Sequence, residues 1–580
     1  MNTRAPLWER RPHLCAVVIM FAFAAVRLWM AASGGLNLIQ DEAQYWDWSR
    51  RLQLSYYSKG PLIAWLIAAG TSLFGDTELG VRFFAVLGNL VAQAFIYALP
   101  AVIFRRPRVG LYALLIAASM PLFIASGVLM TTDNPLLVCW CAALFCLARI
   151  GEGRAGGFAF VCLGAAFALG VLAKYTMLVL APAAFVFVWV LRKKDMASRG
   201  TVRKTLVTVV VGCLVGLVPI LIWNLQNDFI SFRHVARLAG VAPAVGESPP
   251  WIRFDRFPEY LGSQFGLLLP WWLCIMLWHG WGMLRHVLEH RAGAMDRLTL
   301  VRPDARGLAP GSGPSFRLHL LLCLGFWPLW LFFLFWSFHT RIYPNWSAMS
   351  YAAGALITAL GVERLLRGRT SAGLPPDDSE PGRFAGWGQK LLPLWCLLAL
   401  AVCLSLHGER YLTKAITLPE KFNPAVRLKG WGDLGRELEA VRLSMPNPDK
   451  VFFFSDSYDV TAELAFYLPG RPPVFCADFG RRLSQYDLWP DPNGRTLFDP
   501  PPGPDFRPPL AGYDAIFVVR KPLEGPPPHE LASMFAGVGK PEAYQSTHDG
   551  RPGREFGFIR LRGFNGVWPR PETSAGQGKY

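Results

Sequence analysis

Long apolar runs broken by short polar connectors dominate the first 406 residues. About eleven such runs recur between Leu14 and Leu406, most of roughly 17 to 25 residues, enough to cross a bilayer of about 30 Å. The first, Leu14 to Ala32, lacks a small-residue cleavage site and reads as a retained helix. The third is expected from Gly110 to Met130, the seventh from Thr205 to Trp223 and the last from Leu391 to Leu406. Residues 62–75 are apolar but short, so an interfacial or half-inserted helix is expected there.

From about residue 407 the pattern changes. Val451–Ser455, Val474–Cys476, Ala515–Val519 and Phe556–Leu561 are β-branched and aromatic runs that predict strands. Asp433–Leu443 and His529–Phe535 have helical spacing, and Pro-rich loops fill 490–509. The fold class is therefore a polytopic α-helical membrane protein with a C-terminal soluble α/β domain. The expected division is 1–406 for the membrane part, with an extracytoplasmic loop at 33–80, and 407–580 for the soluble domain. The connector 285–317, rich in Gly and Arg, and the linker 365–386 read as flexible joints.

Composition sharpens this reading. Of 580 residues 52% are hydrophobic and 17% charged, against about 25% charged in soluble domains. The net charge of +17 does not point to nucleic acid. Its basic residues cluster in short connectors at alternate ends of the spans (Arg105, Arg106 and Arg108; Arg192, Lys193 and Lys194; Arg364, Arg367 and Arg369), the positive-inside pattern. That puts the N-terminus in the cytoplasm. An odd number of spans puts the C-terminal domain on the outer side with the loop at 33–80. All the cysteines except Cys476 lie in apolar runs, without zinc spacing, and read as inert. The many Trp and Tyr residues, with Arg27 and Arg82, read as interfacial anchors.

The candidate chemistry lies at the outer ends of the spans. Asp41 and Glu42 follow the first span, Lys59 precedes Gly60-Pro61, and Asp133, Lys174, His339 and Arg341 close later outer turns. Ionisable groups at membrane depth are costly and mark a pathway or a site. Lys and Arg suit a phosphate, and a carboxylate suits taking a proton from an attacking hydroxyl. Each residue also has a plainer role open to it: Asp41 and Asp133 as helix caps, Lys59 snorkelling, Lys174 as an anchor.

Asp41-Glu42-x-x-Tyr45 followed by Tyr57-Ser58-Lys59-Gly60-Pro61-Leu62 resembles the first outer loop of the GT-C glycosyltransferases, nearest the bacterial ArnT-like and protein O-mannosyltransferase-like group (glycosyltransferase family 39/83 type). Thr132-Asp133-Asn134-Pro135-Leu136 resembles that group's second acidic loop, and Leu172-Ala173-Lys174-Tyr175 its Lys-containing turn. Arg341-x-Tyr343-Pro344-Asn345-Trp346 resembles its basic-aromatic-Pro motif. Glu463-Leu-Ala-Phe-Tyr-Leu-Pro and Gln485-Tyr-Asp-Leu-Trp resemble its periplasmic domain.

The resemblance implies an inner-membrane enzyme that moves a sugar from a polyprenyl-phosphate donor to a periplasmic acceptor: lipid A, lipopolysaccharide, another surface glycan or a protein. Asp41 and Glu42 would be catalytic. Lys59, Arg341 and Lys174 would bind the lipid phosphate. Asp133, His339, Tyr57 and Tyr343 would contact acceptor or donor. A divalent metal ion is left open, with Asp41, Glu42, Asp133 and His339 as its ligand set. Ser58 and Gln44 stand where ArnT-like proteins often carry an acid and an Arg; the first weakens a carried-over metal site, and both leave an aminoarabinose donor unsupported. Membrane lipids are the other expected partners. A lipid-linked sugar transporter is the rival class, although it would place its polar groups nearer the midplane.

Overall fold

The structure, a computed structural model, describes residues 7–241, 252–291, 316–370, 383–408, 428–500, 506–548 and 551–570. Most of the connector 285–317 and of the linker 365–386 lies outside these residues.

Among the described residues seven helices are long and apolar enough to cross a membrane: Pro12–Ala32, Glu78–Ile103, Asp133–Gly151, Tyr175–Lys193, Arg199–Gln226, Phe316–Trp336 and Gly386–His407. Arg256–Leu268 and Pro270–Glu289, bent by 102°, make an eighth if counted as one span. The expected runs are all helical, but not all are spans. Gly157–Ala173 is apolar and short. The continuous helix expected from Gly110 to Met130 is broken into Pro107–Ser119 and Pro121–Ser126. Met120, at the break, has φ −78° and ψ 125°, the extended geometry imposed on a residue before proline, and Pro121 has no N–H with which to continue the ladder.

The C-terminal domain carries a five-stranded mixed sheet. We number its strands β1 (Val451–Ser455), β2 (Val474–Cys476), β3 (Asp514–Val519), β4 (Phe535–His548) and β5 (Arg551–Phe564). Their spatial order is β2-β1-β3-β5-β4, with β1 parallel to β2 and β3, and β5 antiparallel to β3 and β4. Strand β4 was not expected. Its sequence, FAGVGKPEAYQSTH, has two glycines and a proline in place of a β-branched run. It is held as an edge by its long pairing with β5, with register shifts around the irregular positions. Cys476 is buried, and burial pushes its thiol up to about 12, in keeping with an inert role.

The division at residue 407 hides a continuity. A short helix, Gln40–Ser49, and the loop after it share one apolar core with the sheet domain. Trp46 meets Phe466 edge to face at 4.9 Å, and Trp48 stacks on Tyr56 at 4.6 Å. Trp46, Trp48 and Tyr56 are fully buried, so they are core residues of this junction and not members of an interfacial belt. Polar contacts add register. The Tyr57 N–H donates to Gln485 at 2.7 Å, the Leu38 N–H to the Tyr467 hydroxyl at 2.7 Å, and that hydroxyl to Glu78 at 3.0 Å. The helix Leu62–Phe74 buries one face against this junction and the helix Glu78–Ala98.

Glu42 and Arg82 pin the start of the loop. Arg82 donates to both Glu42 oxygens at 2.9 and 2.7 Å and to the carbonyls of Leu36 and Asn37 at 2.9 and 2.7 Å. Glu42 also accepts from the Ile39 and Met130 N–H groups at 3.0 and 2.8 Å. Both side chains are fully buried. Arg82 is thus a buried strut, not an interface anchor. Arg27 is likewise buried, donating to Asn89.

Close by, Glu463 is buried with neither oxygen hydrogen-bonded among the described residues, and burial holds its pKa well above 4.5. Two contrasting outcomes follow for thermal melting of the full chain in detergent. Glu42→Gln leaves Arg82 buried without its partner charge and lowers stability by about 3–5 kcal/mol. Glu463→Gln keeps the shape and removes the ionisation. Because its folded pKa is raised, Glu463 costs stability as pH rises through that pKa, so the Gln variant melts no lower than wild type at pH 8.

Candidate active site

Successive side chains on a helix are about 100° apart. With Glu42 turned inward to Arg82, Asp41 is turned the other way, into a cavity of about 200 Å³ between the membrane part and the C-terminal domain. The cavity is lined from several directions. Asp41, Tyr57 and Lys59 come from the first loop; Asp133 and Lys174 come from the turns at either end of the next helical pair; Tyr343 and Asn345 come from the loop after the helix Phe316–Trp336; Tyr458, Arg482 and Ser484 come from the C-terminal domain.

The loop carrying Lys59 is built for close approach. The Tyr56 N–H donates to the Lys59 carbonyl at 3.2 Å, and Gly60 lies against Leu172, where a Cβ would stand 2.1 Å from the backbone oxygen. This contact seats Lys59 beside the Lys174 turn. Lys174 itself is committed: its ammonium donates to Asp133 at 2.7 Å, and the Asn345 amide holds the other Asp133 oxygen. Lys59 has no ion-pair partner among the described residues.

Asp41 is exposed to the cavity, whose walls surround the carboxylate with protein. That enclosure raises the Asp41 pKa above 3.8, with Lys59 and Arg482 pulling it back. The Lys59 ammonium is held below 10.5, first by burial and then by Lys174. His234, from the helix Ile230–Leu238, packs on Tyr57 at 4.5 Å and is held down to about 3 by burial, then by Arg482 and Lys59, so it is neutral.

Of the expected site residues, Asp41, Lys59, Lys174, Asp133, Tyr57 and Tyr343 come together. Three do not. Glu42, expected as a second reacting carboxylate, has both oxygens taken by Arg82 and the backbone. Arg341 is exposed and paired with Glu259 at 2.7 Å. His339 lies on the Gly240 carbonyl at 3.1 Å. Two of the four expected metal ligands are therefore elsewhere, and no group of three or more His, Cys, Asp or Glu side chains gathers among the described residues.

Sequence reasoning missed Arg482, Tyr458 and His234. The one available signal was the Arg481-Arg482 pair just before Gln485-Tyr-Asp-Leu-Trp. Arg481 is consumed structurally, donating to Asp487 at 2.7 and 2.8 Å and to the Cys476 and Ala477 carbonyls at 2.8 Å each. Its neighbour is left facing the cavity.

Over 94% of its length the chain superposes on 97% of ArnT from Cupriavidus metallidurans bound to undecaprenyl phosphate, with a TM-score of 0.55 at 16% identity. The fold is shared with that ArnT structure. A family model described as dolichyl-phosphate-mannose-protein mannosyltransferase matches residues 58–223. The chain is 28% identical over 343 residues to the lipid A galacturonosyltransferase RgtD of Rhizobium johnstonii, covering 59% of this chain and 64% of that one. It is 28% identical over 305 residues to an undecaprenyl phosphate-alpha-4-amino-4-deoxy-L-arabinose arabinosyl transferase of Pseudomonas fluorescens, covering 49% and 51%. The chain thus spans less than two thirds of the length of these curated relatives. The ArnT likeness embraces the C-terminal domain as well as the helices.

Gly60→Ala tests how tightly the Lys59 loop is seated. The added methyl must push Leu172 away, and the melting temperature falls by an amount corresponding to about 1–3 kcal/mol. Gly262→Ala, inside the helix Arg256–Leu268 where a Cβ meets nothing within 4 Å, does not lower it, because alanine is the better helix former.

Proposed function

We propose that this protein is an inner-membrane glycosyltransferase that moves one sugar from a polyprenyl-phosphate donor to lipid A in the periplasm. The observation that carries the reading is the cavity itself, lined by a carboxylate, Asp41, and by an ammonium, Lys59, with no ion-pair partner among the described residues. The relatives named for lipid A and for undecaprenyl-phosphate sugars support donor and acceptor.

The chemistry asks little else of the protein. The acceptor hydroxyl attacks the anomeric carbon, the bond from that carbon to the phosphate oxygen breaks, and the electron pair leaves on the phosphate. Asp41 takes the hydroxyl proton, a role helped by a pKa above the ordinary carboxylate value. Lys59 steadies the charge growing on the leaving phosphate. A single displacement inverts the anomeric centre. The Asp133–Lys174 pair and Asn345 form the wall against which the donor sugar is oriented. Transfer to a protein acceptor is the second reading, favoured by the family model that matches residues 58–223.

Mass spectrometry of lipid A from cells lacking the protein tests this. One sugar mass disappears, wild type restores it, and a normally expressed Asp41→Asn does not, its rate being about 10²–10⁴-fold lower. Restoration by Asp41→Asn would exclude Asp41 as the base. Loss of the sugar from envelope proteins instead of lipid A would establish the second reading.

The profile of kcat/KM against pH is a bell. Its acid limb marks protonation of Asp41, above pH 3.8, and its alkaline limb marks deprotonation of Lys59, below pH 10.5. Lys59→Arg moves the alkaline limb upward, since a guanidinium stays charged.

A further inference from the structure

We propose that Arg482, carried by the C-terminal domain, is the second cation of the phosphate site, so that the soluble domain completes the active centre. This rests on the glycosyltransfer reading above. Lys174 is neutralised by Asp133, and His234 is uncharged. Three charges then face the cavity: Asp41, Lys59 and Arg482. Arg482 is half-buried, its guanidinium donates to the Tyr458 hydroxyl at 2.9 Å, and no carboxylate pairs with it among the described residues. Arg481, locked to Asp487 and two carbonyls, fixes the backbone from which it projects.

A charge count gives this arrangement its purpose. Before reaction Asp41 is an anion and the two cations leave the cavity at net +1. A polyprenyl-phosphate sugar is a phosphodiester of charge −1, and the sum is zero. In the reaction the acceptor oxygen bonds to the anomeric carbon, the carbon–oxygen bond to the phosphate breaks, and the hydroxyl proton passes to Asp41. The cavity is then +2 and the lipid phosphate, now a monoester, is −2. The sum is again zero.

With Lys59 alone the product would sit in an enclosed site one cation short. The second cation matters most when the second negative charge develops, which is the condition for accelerating the step. Arg482 is therefore a catalytic residue in this reading, and a guanidinium suits the two oxygens of a phosphate.

The test measures binding of undecaprenyl phosphate and of uncharged undecaprenol to the full-length protein in nanodiscs. Wild type binds the phosphate form more tightly. Arg482→Gln weakens the phosphate form about tenfold to a hundredfold and leaves undecaprenol unchanged, and Arg482→Lys recovers most of the loss. Unchanged undecaprenol affinity shows that the protein still binds the lipid chain. If Arg482→Gln discriminates the two lipids as well as wild type does, the assignment of Arg482 is overturned while the functional reading stands. A loss in Arg482→Lys as deep as in Arg482→Gln also overturns it. Wild type that does not discriminate the two lipids at all removes the phosphate site and the functional reading with it.

Discussion

The buried pair between Glu42 and Arg82 is the constraint on which the cavity depends. Two charges taken out of water are tolerated where each is fully hydrogen-bonded, and here the pair binds four backbone groups besides one another. Those groups come from the connector leading into the helix Gln40–Ser49 and from the turn before Asp133, while Arg82 itself sits on the helix Glu78–Ala98. Three separate pieces of chain are thereby fixed around one ion pair. The direction of Asp41 follows from it, because the neighbouring residue on a helix cannot face the same way.

The second constraint is apolar. Trp46, Trp48 and Tyr56 are too large and too buried to serve only a lipid interface, and they bind the loop to the sheet domain in one core. Aromatic side chains bury large areas in defined geometries, so they hold the domain at a fixed height above the helices. That fixed height lets a residue 423 positions after Lys59 in the chain face the same cavity. The soluble domain acts as a wall of the site.

Function emerges where these constraints leave charges unsatisfied. Asp133 and Lys174 neutralise each other; Arg341 has found Glu259 at the surface. Among the described residues Asp41, Lys59 and Arg482 have no such partners, and protein walls that displace water strengthen charges left unpaired. A reaction that transfers a proton to a carboxylate while building charge on a phosphate uses that imbalance in both its initial and final states.

The sequence by itself determined the class of the protein, because apolar runs of bilayer length admit few structures other than helices. It also determined which polar residues stood at the span ends, and Asp41, Lys59, Asp133 and Lys174 could be read from that placement. It could not separate Asp41 from Glu42. Adjacent carboxylates look alike until a helix turns one to an arginine and the other to a cavity. The break before Pro121 was legible in principle from proline chemistry, whereas β4 was not, since its glycines and proline are tolerated only because β5 pairs beside it. The tertiary structure alone decided that Arg341 lies outside the cavity and Arg482 lines it. Sidedness along a chain is a local property, but the approach of a distant loop to a site is set by the packing of a whole domain.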